Sequence, residues 1–250
     1  MIERVAALYD IHGNLPALQT VLPEVQDAKV ELIVAGGDVF LGPMPVETVD
    51  CLLNCGIPVE FILGNCEIAV LEQIAGREPA RIPEQYRPSI GWVARQLGAP
   101  GSAMVSRWPK TLRVEVRETG SLLFCHATPR NEDECFTRLT PEDRLRPIFD
   151  SCGSDFVVCG HTHMQFDRTV GSTRVVNAGS VGMPFGEPGA DWALLGPGVQ
   201  LRHTLYDLEE AAQRIRATDY PDAGQFAANH VLKPPTEQQM LQVFSKAELQ

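Results

Sequence analysis

No apolar run in the sequence is long enough to cross a bilayer. The longest stretches, such as 32–35 and 122–125, end after a few residues, against the ~20 that a membrane helix requires. Met1-Ile-Glu-Arg leads into a strand pattern and not into the charged-then-apolar start of a signal peptide. The expectation is a cytoplasmic protein with no membrane partner. Basic residues are also scarce, 21 Lys and Arg against 32 Asp and Glu for a formal net charge of −11, which excludes bulk nucleic-acid binding through a broad basic face. None of the seven cysteines forms a CxxC pair, and their number is odd. A zinc ribbon and a complete disulfide framework are thereby excluded, and most of them serve as small core residues. The chain lacks repeats, linkers and low-complexity blocks. What it has is 44% hydrophobic residues in a length of 250, enough core material for one large domain or a domain with an appendage.

The first half alternates strand and helix. Val5 to Tyr9 is an apolar run ending at Asp10. Asn14 then caps a helix with Pro16 in its first turn and Leu15, Leu18, Val21, Leu22 and Val25 on one face. Glu31 to Ala35 is a second strand closed by Gly36-Gly37-Asp38. A second helix runs from about Pro45 to Asn54, with Val46, Val49, Leu52 and Leu53 on its inner side and Gly56 beyond its end. Pro58 to Leu63, ending at Gly64-Asn65, completes a βαβαβ pattern, and hence a parallel sheet. From about Gly76 to Pro109 the chain reads as helical, with a buried stripe of Ile90, Val93, Ala94 and Leu97. A hairpin follows, with Leu112, Val114 and Val116 alternating and Gly120 turning the chain into Leu122 to Cys125. After a loop, Thr140-Pro141-Glu142-Asp143 opens a helix with Leu145, Ile148 and Phe149 inward. Phe156–Cys159, Arg174–Val176, Trp192–Leu195 and Gln200–Leu205 read as further strands. The division expected is a main domain over 1–205 and a helical extension packed on it over 206–250.

Five places end an apolar strand in polar residues that can hold a metal: Asp10-Ile-His12, Gly37-Asp38, Gly64-Asn65-Cys66-Glu67, Cys125-His126 and Gly160-His161-Thr162-His163. Taken singly, each reads equally as a turn or a helix cap. Together they supply two Asp, one Asn and four His at strand ends, a mixed N and O donor set that suits Mn²⁺, Fe or Zn²⁺ better than Ca²⁺ or Mg²⁺. Seven ligands exceed one tetrahedral site; with one bridging carboxylate they divide into two sets of four, as a two-metal hydrolase needs. His203 and His230 lie outside these motifs.

In this order, DxH, GD, GNxE, H and GHxH, the residues resemble the calcineurin-like metallophosphoesterases over roughly 1–205. The resemblance implies a four-layer α/β/β/α sandwich of two mixed sheets flanked by helices. It implies Asp10, His12 and His163 on one metal, Asn65, His126 and His161 on the other, and Asp38 bridging both. The cofactors implied are two divalent transition-metal ions, Mn foremost, with Fe, Zn, Ni or Co as alternatives. In the motif where most of that family has GNH, this chain has Cys66, as its compact bacterial phosphodiesterase branch does. The cysteine is either a small spacer or a participating thiol, and with an ordinary pKa of about 8.5 a thiol protonates a leaving group poorly. Asn177 and Ser180 lie in a segment similar to the family's NxGSVG, which either contacts a substrate phosphate or merely ends a strand. Arg130 is either a clamp on a phosphate oxygen or a solvated loop residue.

The activity implied is hydrolysis of a small or nucleotide-type phosphodiester by in-line attack of a hydroxide held between two cations, with Asp38, Asn65, His126 and Cys66 at the reacting centre. Hydrolysis of a dinucleoside polyphosphate such as diadenosine tetraphosphate is the enzymatic alternative. A protein-interaction scaffold without catalysis is the alternative of another class, and it predicts eroded ligands. The segment after Asp207 either covers the body or mediates a homodimer.

Overall fold

A computed structural model describes residues 1–79 and 83–249. The βαβαβ half consists of β1 (Val5–Leu8), α1 (Leu15–Asp27), β2 (Leu32–Ala35), α2 (Pro45–Leu53) and β3 (Val59–Phe61). Next come α3 (Asn65–Ile74) and α4 (Arg87–Val105), the latter bent at Gly98 where φ is 57°. The remaining elements are β4 (Thr111–Val116), β5 (Gly120–Cys125), α5 (Glu142–Phe149), β6 (Phe156–Cys159), β7 (Phe166–Val170), β8 (Thr173–Asn177), β9 (Ala190–Leu195) and β10 (Val199–Thr204). The C-terminal region holds α6 (Leu208–Arg216), α7 (Ala223–Phe226), a wide turn over Ala227–Leu232 and α8 (Glu237–Phe244).

Two five-stranded mixed sheets result, in the orders β10-β9-β1-β2-β3 and β4-β5-β6-β8-β7. In the first, β1, β2 and β3 run parallel, with Val5 opposite Leu32 and Ile33 opposite Val59, and β9 runs antiparallel to β1. In the second, β5, β6 and β8 are parallel, and the hairpin partners β4 and β7 are antiparallel. Strand periodicity explains the layering. Val5, Ala7 and Tyr9 of the β1 run face the other sheet, meeting Phe124, Val158 and Val176. Ala6 and Leu8 face outward to α1, α4 and α6. The far side of the second sheet is covered by Leu145, Ile148 and Phe149 of α5. This is the expected four-layer α/β/β/α sandwich.

Three local expectations need correction. On α2 the buried face is Pro45, Thr48, Val49 and Leu52, whereas Val46 and Leu53 are exposed; the i, i+3, i+4, i+7 stripe runs through Thr48, whose hydroxyl the apolar pattern did not count. The helix α3 begins within the Gly64-Asn65-Cys66-Glu67 motif, with Glu67 as its capping residue at the third position. The strand β7 went unread because its middle residues, Asp167, Arg168 and Thr169, are polar, and only Phe166 and Val170 are buried.

From α6 onward the chain joins the same core: Ala211, Ala212, Ile215, Phe226 and Val231 pack with Leu8 and Leu18. Each such side chain fully withdrawn from water contributes about 1.5–3 kcal/mol for the larger aliphatics and aromatics. All seven cysteines are free. Among the described residues, no helix is long and apolar enough to cross a membrane.

Candidate metal centre

The carboxyl ends of β1, β2, β5 and β6 meet where the two sheets come together, and each delivers its motif there. Five of the seven proposed ligands, Asp10, His12, Asp38, His161 and His163, have φ between 50° and 65°. For residues other than glycine the left-handed region costs about 1–2 kcal/mol each, and such strain gathers where function demands a particular side-chain direction. The motif glycines permit the approach: a Cβ on Gly64 would stand 2.2 Å from Asp38 Oδ1, and one on Gly160 would stand 2.4 Å from Asp10 Oδ2.

The seven side chains form two overlapping sets. In the first, His163 Nε2 is 3.3 Å from Asp10 Oδ1 and His12 Nε2 is 3.2 Å from His163 Nε2, with His12 Nε2 4.0 Å from Asp10 Oδ1. In the second, His126 Nε2 lies 3.0 Å from Asn65 Oδ1 and 3.3 Å from His161 Nδ1. Asp38 stands between them, its Oδ2 3.9 Å from His12 Nε2 and its Oδ1 3.5 Å from His126 Nε2. Two atoms bound to one cation at ~2.1 Å can be at most ~4.2 Å apart, so every one of these separations is compatible with a shared ion.

The rings are held from behind. His12 Nδ1 is 3.1 Å from the Leu41 carbonyl, His126 Nδ1 2.9 Å from that of Gly36, and His163 Nδ1 2.8 Å from that of Met183. His161 is reversed: its Nε2 lies 3.1 Å from the Asp133 carbonyl and its Nδ1 points inward. A carbonyl accepting from one ring nitrogen leaves the other as a lone pair for a metal. The donor set fits a cation on a further ground: Asp10 Oδ1 is buried and receives no hydrogen bond among the described residues, a costly state for a carboxylate oxygen unless an ion satisfies it.

The electrostatics agree. Burial raises Asp38, but the adjacent His126 outweighs it and holds the carboxyl well below its usual range. Burial opposes the charge on His126, yet Asp38 drives its pKa up to about 10. His161 is pushed down to about 4 by burial and by His126. His12 falls through burial and the charge of His163, whereas Asp10 raises His163 against its burial.

Cys66 is buried with its thiol 3.0 Å from Asp38 Oδ2, while its backbone N–H donates to Asp38 Oδ1 at 2.9 Å. Burial, then the Asp38 charge, pushes the thiol pKa well up, so the group is a neutral donor to the central carboxylate. Glu67, not singled out from sequence, is fully buried and accepts three backbone N–H groups, from Asp38 at 2.7 Å, Val39 at 2.8 Å and Gly64 at 2.8 Å. It ties the β2 loop to the start of α3.

The three residues expected to contact substrate each have partners within the protein. The guanidinium of Arg130 forks onto Glu134 at 2.7–3.0 Å on the surface and does not line the cleft. Ser180 donates to the Asp10 carbonyl at 2.7 Å and accepts from the Met183 N–H at 2.8 Å. Asn177 Nδ2 donates to the Gly160 carbonyl at 2.7 Å. The last two brace the ligand loops from beneath.

Above the ligands opens a cleft of about 1750 Å³, and residues between Tyr220 and Ala247 supply much of its lining. Residues 4–196 match the family model for the calcineurin-like phosphoesterase superfamily domain. The chain belongs to that superfamily. It is thus a metal-dependent phosphoesterase, and Asp10, His12, Asp38, His126 and His163 are clustered closely enough to be candidates for holding a metal ion. Across 241 residues it is 24% identical to an uncharacterized protein of Methanocaldococcus jannaschii, covering 87% of this chain and 94% of that one. A hypothetical protein of Pyrococcus horikoshii superposes with a TM-score of 0.79 at 20% identity, covering 93% of this chain and 99% of that one. A metallophosphoesterase of Sphaerobacter thermophilus superposes at 0.68 with 22% identity, covering 91% and 99%.

Proposed function

We propose that this phosphoesterase is a two-metal phosphodiesterase acting on small or nucleotide-type diesters. The observation that carries this reading is the position of Asp38, with one carboxylate oxygen toward each imidazole set. Asp10, His12, His163 and Asp38 would hold one cation; Asn65, His126, His161 and Asp38 the other. When bound, the pair supplies acidified water and draws charge from the phosphate oxygens.

The chain's own part is positioning and charge. Asn65 offers a neutral amide oxygen, which limits negative charge at a site that must take an anion. Without cations the described cleft is hostile to phosphate: Asp38, Asp133 and Asp222 line it, and Lys233 is the one Lys or Arg among the lining residues. Bound divalent ions reverse that field, so phosphate affinity should depend on metal. The cleft exceeds the ~300–1,000 Å³ common for small-ligand sites, and Tyr86 and Phe244 on its walls offer faces for a nucleobase. Mn²⁺ is the metal proposed, with Fe, Zn, Ni or Co as alternatives that the mixed nitrogen and oxygen donors also admit.

Turnover of bis-p-nitrophenyl phosphate with added Mn²⁺, beside a monoester and a dinucleoside polyphosphate, tests the reading. Preference for the diester is expected. Preference for the dinucleoside polyphosphate would make the protein an anhydride hydrolase. No turnover of any of them, with no bound metal, would leave the scaffold role.

A further inference from the structure

Of the six histidines, four belong to the metal centre, and His203 bonds Asp191 at 2.7 Å. His230 remains. It sits in the wide turn Ala227–Leu232, where the Lys233 N–H reaches back five residues to the Ala228 carbonyl at 3.0 Å. Such turns interrupt ordinary helical bonding and recur at functional sites. The turn brings His230 to the cleft that His12 and His163 also line. Phe226 packs on the ring at 5.4 Å between centroids, fixing its attitude.

The two ring nitrogens differ. Nδ1 is buried and meets no hydrogen-bond partner among the described residues. A proton there would be a buried donor without a partner, so the neutral ring carries its proton on Nε2, the edge left toward the cleft. Burial, the largest cause, holds the ring's pKa below its usual value, and the neutral ring offers its remaining N–H as a donor. The Cys66 thiol, which also lines the cleft, is already spent on Asp38.

We propose that His230 Nε2–H is a hydrogen-bond donor to the substrate phosphate, placed for the leaving oxygen. The inference rests on the phosphodiesterase reading: cations at the seven ligands would take the oxygens that face them, and the departing oxygen needs a donor from another wall. As the P–O bond breaks, its electron pair and the negative charge pass to that oxygen, where an N–H stabilises it without proton transfer; water supplies the final proton.

The test uses the metal-loaded full chain with His230→Ala and His230→Asn. For a dialkyl-type diester kcat should fall about 100-fold, the loss typical of one preorganised donor, with KM and metal content per chain held. The bis-p-nitrophenyl ester, whose leaving group needs little help, should lose less than tenfold. Equal losses on both esters, or none, would overturn the proposal. A readout independent of turnover is the Nε2–H resonance of His230 in nitrogen-15-labelled protein titrated with inorganic phosphate. A shift that saturates with phosphate is expected; an unmoved resonance would overturn it. If phosphate shifts the resonance while no ester turns over, the contact stands and the phosphodiesterase reading falls.

Discussion

At the scale of single residues, the centre is made of side chains held against their preferences. Asp10, His12, Asp38, His161 and His163 occupy left-handed backbone, and Asp10 Oδ1 is buried without a donor. The backbone strain is stored by the surrounding fold, and a cation at the site would satisfy the buried carboxylate oxygen. His126, with its pKa raised to about 10 by Asp38 against burial, holds a proton at neutral pH that a metal must displace, whereas His161, at about 4, has none to lose. Below about 10, then, metal affinity should rise with pH, because higher pH removes the competing proton. Calorimetry at pH 7 in buffers of different protonation enthalpy should count at least one proton released; no release would contradict the assignment. Cys66 gives a second prediction. Its thiol is a neutral partner of Asp38, and the N–H of the same residue still holds Oδ1. Cys66→Ala should therefore lower bis-p-nitrophenyl phosphate turnover by about 10–100-fold at most, the loss typical of removing one neighbour of a ligand. A loss beyond a thousandfold would make the thiol a participant.

Elements explain why the residues meet. Four strands end at one edge of the sandwich, and α3 starts there, pinned by Glu67. Glu67→Gln would turn an amide NH₂ toward at least one of three backbone N–H donors. Urea unfolding of the metal-free protein should show a loss of about 1–3 kcal/mol; a change under 0.5 kcal/mol would show that the carboxylate does not hold the loop. This level also marks how far the sequence is legible. The ligand motifs could be read because each follows a short apolar strand and stands beside glycine, a pattern visible in the chain itself. The start of α3 was hidden because Asn65 and Cys66 read as part of a strand-end motif, although Glu67 three residues after Gly64 was a capping signal. The partners of Arg130, Ser180 and Asn177 were not legible: Glu134 captures the first, and the carbonyls of Asp10 and Gly160 hold the others, contacts that only the packed loops create. His230 was beyond reach for the same reason, since nothing local ties it to motifs ending at His163.

For the whole molecule, the acidic balance and the C-terminal segment take on definite meaning. A chain of net charge −11 can still serve a phosphate substrate, because bound cations would reverse the field inside its cleft. The C-terminal segment both packs on the shared core through Ile215 and Phe226 and lines the cleft through Tyr220, His230 and Phe244, so residues outside the family-matched 4–196 shape what can bind. All of this depends on two ions sharing Asp38. The most direct measurement is metal content per chain, by elemental analysis after Mn²⁺ loading and desalting, for the parent protein and Asp38→Asn. The account predicts about two ions in the parent, the number of a two-metal centre, and loss of both in the variant together with diester turnover. One ion in the parent, or two ions and unchanged turnover in Asp38→Asn, would contradict it.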